Sequence, residues 1–162
     1  MRALESRALQ VQGAFNPQDI ANTLWAFATL GLQPEDVLMV SLMATALQVQ
    51  VDFNPQKIAN ILWAFPKLVR QPEDALLSGL VTQALEVQGA FDPQNIAVTL
   101  WAFVTPGRQS KDALVEGLTA RALELQGAFD PQNITNTLWA FVTLGQQPDD
   151  ALVAGLTARP LE

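Results

Sequence analysis

The sequence predicts an all-α protein, an α-solenoid of stacked antiparallel helix pairs with a 38-residue period and about four units. Three observations predict it. Phe15, Phe53, Phe91 and Phe129 recur every 38 residues, each followed by Asn-Pro-Gln or Asp-Pro-Gln. Trp25, Trp63, Trp101 and Trp139 recur at the same interval inside Leu-Trp-Ala-Phe. All twelve aromatic residues, eight Phe and four Trp, fall at three positions of this unit. A period of this length marks helical units that cannot cover their apolar faces alone and must stack. The array is expected to be one structure: a partial second helix over 1–14, then units 15–52, 53–90, 91–128 and 129–162.

Each unit reads as two helices. In the first, helix A, Asn16 can cap the start and Pro17 takes the first helical position, where its missing N–H is not needed. Ile20, Leu24 and Phe27 follow at helical spacing, with Ala21, Trp25 and Ala28 on the adjoining line. Asp92 and Asp130 are equivalent caps. Gly31, Gly107 and Gly145 are expected to end their helices in the left-handed conformation. The second helix, helix B, is expected from Pro34, with Glu35 and Asp36 at the positive end of its dipole. Leu38, Leu42, Ala46 and Val49 form its apolar stripe.

Ser41, Gly79, Gly117 and Gly155 share one mid-helix position, where Gly costs about 1 kcal/mol relative to Ala. A small residue kept there predicts close approach of a neighbouring helix. Gly89 and Gly127 are expected to end helix B, with Val51 and Val69 standing where the second unit would carry its stop glycines. Pro66 and Pro106 should shorten or kink their A helices, and Pro160 the last B helix. The Trp side chains are expected between layers, where truncation to Ala would cost about 3–5 kcal/mol. The repeat opens and closes within a helix B, which predicts part of a longer array and end-to-end self-association through apolar terminal layers.

Composition narrows the function. The chain is 49% hydrophobic and 15% charged, with a net charge of −7. It has no Cys, His or Tyr. Disulfides, thiolate metal sites and cysteine nucleophiles are excluded, and the commonest general base is missing. No run of roughly 18 uncharged apolar residues suggests a membrane span. The expectation is a protein with no cofactor or metal and no enzymatic chemistry.

The unit Phe-Asn-Pro-Gln-Asp-Ile-Ala-Asn-Thr-Leu-Trp-Ala-Phe-Ala-Thr-Leu-Gly resembles the octotricopeptide repeats, with the heptatricopeptide repeats, one residue shorter, as a near neighbour. The resemblance covers essentially the whole chain. It implies binding of single-stranded RNA in chloroplasts or mitochondria, in transcript stabilisation, processing, splicing or translation. No transit peptide is recognisable in these residues.

A helical repeat can read RNA if each unit offers a few side chains to one base. Helix A supplies candidates. One position carries Asp19, Lys57, Asn95 and Asn133; the next candidate carries Asn22, Asn60, Val98 and Asn136; the one after it Thr23, Ile61, Thr99 and Thr137. Further on come Thr29, Lys67, Thr105 and Thr143. The base-reading set is therefore Asp19, Asn22, Thr23, Lys57, Asn60, Asn95, Thr99, Asn133, Asn136 and Thr137, since Asn and Thr can donate and accept at a base edge. Gln18, Gln56, Gln94 and Gln132, the same in every unit, either hold a backbone or serve the helix start.

Lys57, Lys67, Arg70 and Arg108 are the phosphate candidates. Arg7, Arg121 and Arg159 share a helix B position and are expected to pair with acids. A solvated helix face is the competing reading of the polar stripe, and a protein-binding scaffold the competing function. Overall acidity opposes RNA binding. Yet the A helices hold only Asp19 against Lys57 and Lys67, a local balance of +1.

Overall fold

The computed structural model describes residues 2–68, 72–103, 112–145, 147–148 and 150–158. Among these the regular structure is helical, with no strand. The helices are α1 (Arg2–Gln10), α2 (Pro17–Leu30), α3 (Asp36–Gln48), α4 (Pro55–Ala64), α5 (Asp74–Glu86), α6 (Pro93–Phe103), α7 (Asp112–Glu124), α8 (Pro131–Leu144) and α9 (Asp150–Thr157). Even-numbered helices are the A type and pack consecutively on one another as one layer. Odd-numbered helices are the B type and form the second. Phe53, Phe65, Phe91 and Phe103 are among the largest fully buried side chains of the core shared by the two layers.

Local chemistry sets the A helices as expected. The Asn16 side chain accepts from Asp19 N–H at 3.0 Å and the Asp19 carboxylate accepts from Asn16 N–H at 3.1 Å, a reciprocal capping box. Asn54, Asp92 and Asp130 accept from Lys57, Asn95 and Asn133 N–H at 3.0, 2.7 and 2.7 Å. Gly31 and Gly145 end α2 and α8 at φ 66° and 67°, where a side chain would strain the backbone. Gly107 lies outside the described residues, as do Val69, Pro106 and Pro160. Pro66 acts as expected. It has no N–H to continue the ladder, so α4 stops at Ala64 and a 3-10 turn follows over Phe65–Lys67.

Helix B differs from expectation at both ends. It begins at Asp36, two residues past Pro34, with Glu35 as N-cap and no side-chain cap of its own. The buried Glu5 carboxylate caps it from α1 instead, accepting from Glu35 N–H at 3.0 Å. Gly89 and Gly127 are not helix stops. α5 and α7 close two residues or more before them, and both glycines sit in 3-10 turns, Gln88–Ala90 and Gln126–Ala128, without positive φ. Val51 holds the same place in the turn Gln50–Asp52, because this backbone needs no glycine.

The small mid-helix residue on helix B answers a side chain rather than a helix. A Cβ on Gly117 would lie 2.5 Å from Oε1 of Gln88, in the turn that precedes α6. Gln50 and Gln126 seat in the same way on Gly79 and Gly155. At the first unit the Ser41 hydroxyl donates to Gln12 Oε1. Four residues after the small residue, one turn along each B helix, Gln83 and Arg121 donate to the carbonyls of Phe53 and Phe91, each at 3.1 Å. Arg121 also pairs with Glu124 at 2.7 Å, as expected of its position. Arg7 donates to Gln10 instead, and Arg159 lies outside the described residues.

Candidate functional site

Each A helix has two flanks, an inner face and an outward strip. In α4 and α6 the flanks are covered by the A helices before and after, in α2 and α8 one flank is covered by an A helix, and the inner face is covered by helix B. The outward strip of α2 is Gln18, Asn22, Trp25 and Thr29, spaced by four, three and four residues and all exposed. Along α8 it is Gln132, Asn136, Trp139 and Thr143. Along α4 it is Gln56, Asn60, Trp63 and Lys67, and along α6 Gln94, Val98 and Trp101. Side by side these make four rows: one of Gln, one of Asn or Val, one of Trp, and one of Thr or Lys.

The Trp row corrects the expectation that these indoles are interlayer core. Trp25 is 44% and Trp139 50% exposed, and Trp63 and Trp101 are half-buried. Leu24 and Phe27, their sequence neighbours, are buried because each lies 100° or more around the helix from Trp25. A half-exposed indole gives up only part of the burial energy expected for a core Trp. The rings of Trp25 and Trp63 meet with centroids 6.4 Å apart and planes tilted by 31°, within the range of favourable aromatic pairs. The sequence held the signal, since Trp25 stands three residues after Asn22 and four before Thr29.

The candidate position held by Thr23, Ile61, Thr99 and Thr137 corrects in the opposite sense. Thr99 and Thr137 are fully buried, with no hydrogen-bond partner for either Oγ1 among the described residues. Their position faces the preceding A helix. Ile61 is buried there too, whereas Thr23 on α2, which has no A helix before it, is half-buried beside an apolar groove that includes Leu4, Phe15 and Leu30. Thr99 and Thr137 are thus removed from any accessible face.

The remaining candidates divide. Asn22 and Asn136 lie on the strip, and each accepts from the Gln one turn earlier, Gln18 at 2.8 Å and Gln132 at 3.1 Å. Gln18 and Gln132 therefore orient Asn22 and Asn136. Asp19 and Asn133 sit to one side, in the first turn, with Asp19 engaged in its capping box. Asn60 and Asn95 come together in a polar depression of about 170 Å³ between α4 and α6, with Gln56, Asp92, Gln94 and Val98. Lys57 is half-buried in the first turn of α4.

Lys67 is the cation that joins the Trp row. Its Nζ stands 4.3 Å from the ring centroid of Trp63 and 5.8 Å from that of Trp101, within cation–π range of both. The Thr residues that hold its place on α2 and α8 bond their own helix, Thr29 and Thr143 donating to the carbonyls of Trp25 and Trp139 at 2.8 and 2.9 Å. Arg70 and Arg108 lie outside the described residues.

This arrangement defines a helical-repeat protein with a patterned outward strip on one layer. The chain is similar to the family described as "Protein of unknown function (DUF1601)", whose model matches residues 10–24, 49–62, 83–100 and 126–138. Each match covers a 3-10 turn, at least in part, and the opening of an A helix, so the likeness recurs once per unit. No curated protein matches the chain. Among the described residues, no helix is long and apolar enough to cross a membrane.

Proposed function

We propose that this chain is an octotricopeptide-like repeat module that binds single-stranded RNA through the outward strip of the A helices and acts by occupancy rather than by chemistry. One observation carries the reading: the strip repeats its framework in every unit and varies at few places. Gln and Trp are constant, while the Asn row changes at Val98 and the Thr row at Lys67. A constant frame with a variable pair per unit is what one-base-per-repeat recognition needs, and four units would span about four nucleotides. The Asn side chains bring both a donor and an acceptor to a base edge. With few cations on the strip, binding is modest and its salt dependence shallow.

The test is fluorescence anisotropy of short labelled homopolymer RNAs and a duplex control, at low and at physiological salt. Single strands bind with different affinities for different bases, and the duplex does not. Asn22→Ala and Asn136→Ala keep the fold and each change preference at one position. Absence of single-strand binding at low salt overturns the reading in favour of a solenoid that takes a protein partner on the same strip.

A further inference from the structure

The junction of α4 and α6 is not like that of α2 and α4. Between α2 and α4 the indoles of Trp25 and Trp63 meet directly. Between α4 and α6 the Lys67 ammonium stands between Trp63 and Trp101. The cause is local. Pro66 ends α4 early, and Lys67 leaves the helix in a 3-10 turn, whose backbone is fixed partly by Gln33 donating to the Lys67 carbonyl at 3.2 Å. The polar depression with Asn60, Asn95 and Asp92 lies between the same two helices.

We propose that this junction is the principal nucleotide position of the strip: a base stacks on the face of Trp63 that Lys67 now covers, and Lys67 swings out to the phosphate. The inference rests on the RNA reading and sharpens it. An aromatic face is a sequence-tolerant platform for a base. Lys67 is a compact charge on a flexible four-carbon stem, so it leaves the ring without disturbing the backbone. The ligand's chemistry follows from what already occupies the slot. A cationic side chain from a partner would meet the Lys67 charge at close range. A nucleotide offers a neutral flat ring to the indole and an anion to the displaced ammonium, so it satisfies both. Where Thr29 and Thr143 replace Lys67, the hydroxyl bonds its own helix and no cation is released.

The four Trp with no Tyr make intrinsic emission a direct reporter of this row. The full chain is titrated with a single-stranded RNA oligonucleotide and with an abasic strand of equal length and charge, alongside Trp63→Leu and Lys67→Met, with thermal melts to confirm folding. The intact strand quenches Trp emission and the abasic strand binds roughly tenfold more weakly without quenching. Trp63→Leu loses a similar factor. Lys67→Met lowers the salt slope by about one phosphate contact while quenching persists. Equal affinity for intact and abasic strands overturns the stacking inference and leaves the RNA reading standing. So does a folded Trp63→Leu that binds as the wild type does. Absence of binding to any single strand overturns both.

Discussion

The two layers of the array pack by different means. In the A layer, helix lies directly on helix. Ala21, Ala59 and Ala97, at the position facing the next A helix, are at most 1% exposed, while Thr135, with no A helix after it, is exposed. On the opposite flank Leu68 is 2% exposed and its counterpart Leu30, on the first A helix, 66%. In the B layer, neighbours meet more sparsely and also across the 3-10 turns, with a glutamine seated on a glycine or serine of the next helix. Direct packing with small residues seals the buried line between neighbouring A helices and leaves open the outward strip and the depression between α4 and α6. The B layer uses a polar, flexible plug that tolerates variation.

That contrast predicts effects of different size. Ala97→Leu forces extra methylenes into the closed flank between α6 and α8 and should destabilise the fold by about 1–3 kcal/mol, read by denaturant unfolding. An unchanged midpoint would mean the A flank yields as readily as the B layer. Gly79→Ser should act the other way. Gln50 Oε1 is buried without a hydrogen-bond partner, and the serine would supply the donor that Ser41 gives Gln12. The added hydrogen bond and the loss of a mid-helix Gly together favour the variant by about 1 kcal/mol. A lower midpoint would show that the glutamine cannot move aside for a Cβ. The smallest change is Thr99→Val, which removes a buried unpaired hydroxyl at almost constant shape. It should raise stability by up to about 1 kcal/mol and leave RNA affinity unchanged. A loss of RNA affinity would return Thr99 to the site.

Much of the architecture was legible along the chain because it depends on short-range chemistry. The Asn/Asp-Pro pair and the glycines at 31 and 145 act through hydrogen bonds and dihedral angles within one turn. The effect of Pro66 is equally local. The candidate site was legible only in part. Asn22 and Thr29 stand on the strip that helical spacing assigns them, but spacing alone puts Thr99 outward and Trp25 inward, the reverse of where they lie. An isolated helix has one buried arc and one exposed arc. An interior A helix in this array has three covered sides, so a position that would be at the edge of the polar face in isolation is sealed by the preceding helix.

The sequence by itself determined the repeat, the helix pair, the A-helix caps and the outward places of Asn22 and Thr29, since period and local hydrogen bonding need no knowledge of neighbours. Only the tertiary structure decided that the tryptophans face outward, that Lys67 stands between two of them, and that the small residues of helix B receive a glutamine. Each of these depends on where the adjacent unit lies, and the distance and rotation between units are set by packing across the whole interface.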